Sequence, residues 1–456
     1  MKKLLFCTLL CAFGTSVNSQ VFFERNIITE GYLEATSISA ADFDGDGDLD
    51  VLTASINDKI SWFENLDGLG NFGGEMIVST ECGDVTYCIA ADINGDNFID
   101  IVSISNVDGI LLWYENLNGL GVFGEPNLIN SDVINGRSVI AGDFDGDNDL
   151  DLLSADQWDG KIAWYENLDG QGNFGGANLI SDLYPTFATS VDMDGDGDLD
   201  VLASIQAQQG ILIWFENLDG LGNFGSSTII ADEEVTHPRY VCAGDLNGDN
   251  KIDVLSSNMF GVQDVFWYEH LDGQGTFGSH QVITTEVNQP FQVHSVNLDN
   301  DEDLDVISVS WNDNKVAWYE NLDGQGNFGP QKIVEFNAGN PSSVYPADID
   351  GDGKIDVLTT STFFERISWN KQVPFLSTND IHEPRFVISP NPTSGIIEIE
   401  SQKEIEKVHV FNQLGQQVLW FSSEETIDVS NLENGLYFVK VIDSEGSVQV
   451  KRIIKE

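Results

Sequence analysis

Asp42-Phe-Asp44-Gly-Asp46-Gly-Asp48-Leu-Asp50 is the first of seven acidic nine-residue stretches, which begin at Asp42, Asp92, Asp143, Asp192, Asp245, Asn297 and Asp348. The steps between them are 50, 51, 49, 53, 52 and 51 residues. A fixed period of this size means one supersecondary unit, repeated and stacked. Around the first copy the unit reads as four short strands. Thr36–Ala41 is β-rich, Leu49–Ser55 is a continuous apolar run, Lys59–Asn65 alternates, and Glu75–Ser79 follows the glycine-rich Asp67-Gly-Leu-Gly-Asn-Phe-Gly73. Four strands with turn signals between them predict one propeller blade.

The ends of the array predict how the ring closes. Trp62, Trp113, Trp164, Trp214, Trp267, Trp318 and Trp369 mark the third strand of each unit. They suit packing between blades better than sugar stacking. Six units continue past the Trp into a fourth strand, and the seventh stops at Trp369-Asn370. Phe22–Ile28 aligns with Phe72–Val78 at the repeat offset, so the N-terminal strand is expected to complete the last blade. The reading is an all-β chain: a seven-bladed propeller, then a small Ig-like β-sandwich. The rival, an open solenoid, should carry atypical capping repeats, and none is visible.

The loop chemistry suits a hard cation. Positions 1, 3, 5, 7 and 9 are Asp42, Asp44, Asp46, Asp48 and Asp50 in the first copy, then Asp92, Asn94, Asp96, Phe98 and Asp100. The third and fourth give Asp143, Asp145, Asp147, Asp149 and Asp151, then Asp192, Asp194, Asp196, Asp198 and Asp200. The fifth is Asp245, Asn247, Asp249, Lys251 and Asp253, and the sixth Asn297, Asp299, Asp301, Asp303 and Asp305. The seventh is Asp348, Asp350, Asp352, Lys354 and Asp356. Ca²⁺ takes six to eight oxygens, and alternate residues of a tight loop point inward. Glycine or asparagine at positions 4 and 6 permits the left-handed turn. The sixth copy, with Asn297, Asn300 and Glu302, is expected to bind most weakly. These are not EF-hands. A strand follows each loop, and position 12 is Thr53, Ser103, Ser154, Ala203, Ser256, Ser308 or Thr359 where a bidentate Glu belongs. The alternative, acidic turns without metal, leaves closely packed carboxylates repelling one another. Paired aspartates can also run glycoside hydrolysis, but near-identical copies suit a scaffold ion better than an active site.

The register of acidic loop, Trp62 and Phe72-Gly73 resembles the FG-GAP/VCBS repeats of integrin α-chain heads and many bacterial secreted proteins. The resemblance implies Ca²⁺ held by side chains at positions 1, 3, 5 and 9 and by the position-7 carbonyl, giving about seven sites. Asn94, Asn247 and Asn297 keep an oxygen but lose charge.

The chain holds 75 acids and 20 bases in 456 residues, a net −55. That charge disfavours nucleic acid and anionic membranes as partners, since phosphate recognition needs basic patches. Met1-Lys2-Lys3, the apolar Leu4–Phe13 and Val17-Asn18-Ser19 predict a secretory signal peptide over 1–19; no other stretch is apolar enough to span a membrane. Cys7 and Cys11 leave with it. Cys82 and Cys88 are spaced to pair in an oxidising compartment, and Cys242 reads as a small buried hydrophobe.

The expected domains are the propeller over 20–370, a linker over 371–385 and a second domain over 386–456. Ser389-Pro-Asn-Pro-Thr-Ser-Gly395, Val408–Val418, Leu432–Lys440 and Lys451–Lys455 resemble, in order, the C-terminal sorting domain of the Bacteroidota type IX secretion system. That implies a secreted or surface-attached protein and the secretion machinery as a partner. An ordinary Ig-like accessory module is the other reading.

Ligand-binding candidates lie opposite the acidic loops, between strands 2 and 3 and between blades: Arg137, Trp158, Tyr184, His237, Arg239, Tyr240, Phe291, His294, Trp311 and Tyr345. Aromatics with scattered Arg and His suit a glycan or a surface protein. The first functional reading is a non-enzymatic, calcium-stabilised binding or adhesion module. The second is a Ca²⁺-dependent polysaccharide lyase or hydrolase, for which His237, Arg239 and His294 are the available groups. The residues assemble no catalytic constellation.

Overall fold

The computed structural model describes residues 21–206, 210–231, 235–373, 386–401, 405–413, 415–422, 426–443 and 448–455. The expected signal segment, with Cys7 and Cys11, and residues 374–385 of the expected linker lie outside the described residues. The chain divides into two units, Met1–Val373 and Pro374–Glu456.

The described part of the first unit forms seven four-stranded antiparallel sheets. The first blade runs Ala35–Ala41, Asp50–Ser55, Lys59–Phe63 and Met76–Ser79 from the axis outward. Every second strand is buried along its full length. That is why these segments read as unbroken apolar runs: each is covered on both faces by neighbouring blades. The third strand ends at Phe63, two residues before the expected Asn65. Asn65 instead leaves the ladder to pair with Phe72 across the glycine-rich loop.

The ring closes as the repeat arithmetic predicts. Phe22–Glu30 pairs antiparallel with Arg366–Val373, from Phe22 opposite Val373 to Glu30 opposite Arg366. The inner strand of the seventh blade, Val344–Ala347, packs against that of the first. Closure leaves only short outer edges.

Three contacts, repeated round the ring, hold blade to blade. The seven third-strand tryptophans are each at most 6% exposed, and six of them, all but Trp318, lie beneath a glycine of the following blade. A Cβ on Gly70 would sit 2.0 Å from Trp369, and one on Gly121 2.1 Å from Trp62. The same glycines have φ of +83° and +68°, so they are required twice, for space and for conformation. Second, an amide reaches back to the preceding acidic loop: Asn116 Nδ2 donates to the Phe43 carbonyl at 2.8 Å, and Asn217 Nδ2 to that of Phe144 at 2.9 Å. Gln372 makes this bond in the seventh blade, to Leu298 at 2.8 Å. Third, hydroxyls at the start of inner strands donate to the next blade, as Thr36 does to Val85 at 2.8 Å.

Cys82 and Cys88 are not paired. Both are free, buried thiols in one apolar cluster, and Cys88 Sγ lies 3.3 Å from Ser37 Oγ. Cys242 is partly buried and packs on an apolar cluster.

The second unit sets a three-stranded sheet (Phe386–Ser389, Ile396–Ser401, Thr426–Asp428) beside a four-stranded one (Gln417–Ser422, Ile405–Phe411, Gly435–Asp443, Val448–Lys455). Ile397, Ile399 and Ile427 of the first sheet share one core with Val408, Val439 and Ile453 of the second. This is a small β-sandwich.

Candidate metal loops and the axial cavity

Each acidic loop joins the inner strand of its blade to the second strand. In the first, Asp42 accepts the N–H groups of Gly45 at 2.7 Å and Gly47 at 3.0 Å. Asp44 accepts from Asp46, and Asp46 from Asp48. Positions 4 and 6 are left-handed throughout, Asn300 and Glu302 of the sixth loop included, at +70° and +80°. Positions 2 and 8 anchor the loop. Phe43 is buried, and Leu49 packs on an apolar cluster.

Position 9 has a role that its place in the motif does not announce. Asp50 is fully buried and accepts two backbone N–H groups, from Phe43 at 3.0 Å and from Asn65 at 2.8 Å. Asp100, Asp151, Asp200, Asp253, Asp305 and Asp356 do the same in their blades. One carboxylate thus pins the loop to the turn after the third strand. Burial pushes Asp50, Asp151, Asp253 and Asp305 up to about 7, and Asp100, Asp200 and Asp356 to about 6.

In four loops three carboxylates converge with oxygens within 4.8 Å of one another: Asp42, Asp44 and Asp50; Asp143, Asp145 and Asp151; Asp192, Asp194 and Asp196; Asp348, Asp350 and Asp356. These groups could hold a metal ion. The other three loops carry asparagine at position 1 or 3, so a side-chain amide oxygen stands where a carboxylate would. Oδ1 of Asp48, Asp299 and Asp350 is buried without a hydrogen-bond partner. Burial and then the neighbouring Asp46 raise Asp48 to about 6. An oxygen-rich, partnerless, mutually repelling set is what a hard cation would neutralise.

The glutamate two residues after the Trp also belongs to this site, and the sequence reading missed it. Glu64, Glu166, Glu216 and Glu320 act electrostatically on the position-3 aspartates of their own loops, and Glu166 lines a surface depression with Asp145 and Asp147. The signal was available, since Glu stands at this register in six units. The seventh has Lys371, whose ammonium is bonded to Asp350. Lysines also pair with position 5 of the fifth and seventh loops, Lys251 with Asp249 and Lys354 with Asp352.

At the opposite ends of the inner strands lies a cavity of about 470 Å³ on the ring axis, lined from all seven blades. Of the sequence candidates it brings together Arg137, Arg239, Tyr240, Phe291 and Trp311. Trp158 and Tyr184 are 68% and 57% exposed and do not line it. His237 stands edge-on to Phe260, 5.7 Å away. His294 lies against Tyr240 at 5.4 Å, and burial pushes it down to about 4. Tyr345 is half-buried on the inner strand of the seventh blade. The rings of three lining residues meet in succession, Tyr87 edge-on to Phe187 at 5.6 Å and Phe187 tilted against Tyr240 at 3.9 Å. Thr36, Thr86, Arg137, Thr186, Arg239, Phe291 and Ser342 all face this cavity or its wall. Each stands six residues before the first residue of its acidic loop. That register was readable in the sequence, but only the ring shows that it converges on one point.

A closed seven-bladed propeller with a cation-suited loop on every blade defines the class. Six overlapping windows, 42–103, 92–154, 143–203, 192–256, 245–308 and 297–359, match the FG-GAP-like repeat model, and the chain belongs to that family. Residues 387–456 match the secretion system C-terminal sorting domain. The protein is therefore a substrate of type IX secretion, exported to the cell surface or beyond it in a Bacteroidota-type bacterium. No helix among the described residues is long and apolar enough to cross a membrane. No curated protein matches the chain. Among solved structures it is similar to BBS1N in complex with ARL6DN, in crystals soaked with mercury and with lead. The identity is 10% in both, over 80% of this chain and 99% of that one, with TM-scores of 0.53 and 0.55. That likeness shows the fold alone.

Proposed function

We propose that this protein is a calcium-stabilised binding or adhesion module, secreted to the cell surface, whose ligand is a glycan or a surface protein. The division of labour between the two faces carries the reading. One face repeats an oxygen-rich loop on every blade, with partnerless buried carboxylate oxygens at Asp48, Asp299 and Asp350. The other converges dissimilar side chains on a single axial cavity. A repeated feature suits a scaffold; a unique one suits recognition. Side chains at positions 1, 3, 5 and 9 would hold each ion, with the position-7 carbonyl and, in six blades, the added glutamate nearby. The ion would offset the burial, and after it the mutual repulsion, that raise Asp44, Asp48 and Asp299.

A lyase or hydrolase reading needs a base beside the bound sugar. Among the described residues no histidine lines the cavity, so of the proposed trio only Arg239 is placed for it. The deciding experiment is a glycan and surface-protein array probed with calcium and with chelator, alongside a polysaccharide depolymerisation assay. Retained ligand without turnover supports the module. Chain cleavage, or a calorimetric titration without calcium uptake, overturns it.

A further inference from the structure

The position six residues before each acidic loop has an ordinary structural use. Thr36, Thr86, Thr186 and Ser342 spend their hydroxyls on the next blade, donating to the carbonyls of Val85, Gly136, Pro238 and Ala35 at 2.8, 2.6, 2.7 and 2.6 Å. Three blades abandon that bond for Arg137, Arg239 and Phe291, all lining the axial cavity.

The two arginines are unusual in this chain, which has only 20 basic residues against 75 acids. Arg137 is aimed by Gln157, whose Oε1 accepts from its Nε at 2.7 Å. Arg239 is stacked on the Phe291 ring, with Cζ 4.3 Å from its centroid. Stacking fixes the plane of a guanidinium while leaving its N–H edge for an anion. Among the described residues neither arginine has an acidic partner. The one acid lining the cavity, Glu34, is exposed and accepts from Asn57 at 3.3 Å. Burial, and then the charge of Arg137, push Arg239 down to about 9, so the two cations feel each other. Two like charges brought together in a half-enclosed space form an anion site. The Phe291 ring in turn stacks on Trp311, with centroids 5.6 Å apart and planes 29° from parallel.

We propose that the axial cavity binds an acidic saccharide, Arg137 and Arg239 taking its carboxylate or sulfate and the Phe291–Trp311 pair taking a sugar face. The volume lies in the range of small-ligand sites. The aromatic wall and the Asn106 and Asn340 amides suit a ring with hydroxyls better than a bare inorganic anion. This deepens the binding-module reading and rests on it.

The test uses the exported protein with calcium held constant. A galacturonate tetrasaccharide, its methyl ester and a sulfated galactan tetrasaccharide are titrated against wild type, Arg239→Gln and Arg137→Gln. The acidic sugars are expected to bind at least tenfold more tightly than the ester. Either substitution should remove at least that factor while leaving the calcium-dependent melting shift unchanged. Tight binding of only one of the acidic sugars identifies the anion as carboxylate or sulfate. Equal affinity for ester and acid, or unchanged affinity in both variants, overturns the proposal while sparing the module. Failure to bind any array ligand removes the module reading with it. Should a variant fail to fold, the ester comparison and loss of binding with added salt, both on wild type, still decide.

Discussion

Replacing Asp200 by alanine removes the acceptor for two buried N–H groups, those of Asn217 at 2.8 Å and Met193 at 3.1 Å. An unsatisfied buried donor costs about 1–3 kcal/mol, so two cost about 2–6 kcal/mol, less the relief of no longer burying a charge. A net loss of about 2–4 kcal/mol is expected, and about half that for Asp200→Asn, which keeps one acceptor. This loss should appear in chelator, because it does not pass through a metal. Asp194 is the control. It accepts only the Asp196 N–H, at 3.3 Å, and burial, Asp196, Glu216 and Asp192 raise its pKa. Asp194→Asn should therefore cost nothing in chelator and should lower calcium affinity. The assay is denaturant unfolding of the exported protein at pH 7.5, with excess calcium and with chelator, beside calorimetric titration of each variant. Full stability of Asp200→Ala in chelator would refute the pinning role and leave position 9 as a ligand alone. Equal destabilisation by Asp194→Asn in chelator would refute the separation of the two positions.

Gly222→Ala puts a Cβ 2.2 Å from Trp164 at a φ of +72°. About 1 kcal/mol of conformational strain and about 1–3 kcal/mol of overpacking are expected, read by the same denaturation curves. Lys371→Glu restores the acid found in the other six blades, and should raise calcium affinity or stoichiometry while lowering stability in chelator; an unchanged isotherm means that the Lys371–Asp350 pair does not compete with an ion. In chelator, stability should rise as pH falls from about 8 to about 5. The buried position-9 aspartates have folded values of about 6 to 7, above the unfolded value, so the folded state takes up protons that the unfolded state does not. With calcium the trend should reverse, as protons displace the ion. Thiol titration in denaturant without reductant should count three groups per chain beginning at Gln20; a count of one would restore the Cys82–Cys88 bond.

Much of the fold was legible because repetition exposes it. The period gave the blade, the Trp register gave the seams, and the missing fourth strand after Trp369 gave the closure by Phe22–Glu30. The oxygen-rich character of the loops was legible too, since acidic residues alternate along each of them. Glu64 and its equivalents escaped because they come from a different strand, and periodicity alone does not show which strand ends meet. Position 9 escaped because a buried aspartate reads the same in sequence whether it holds an ion or two N–H groups. Cys82 and Cys88 have a spacing that permits pairing, and only packing shows them buried as separate thiols. His237 and His294 are displaced by two and three residues from the register of Arg239, and of the three only Arg239 lines the cavity. Local covalent order therefore determined the unit, its number and the run of acidic side chains in each loop. Tertiary structure decided what converges on the axis, because only a closed ring brings residues about 50 apart in sequence to one point. There it sets two arginines and a phenylalanine where other blades carry a plain hydroxyl latch.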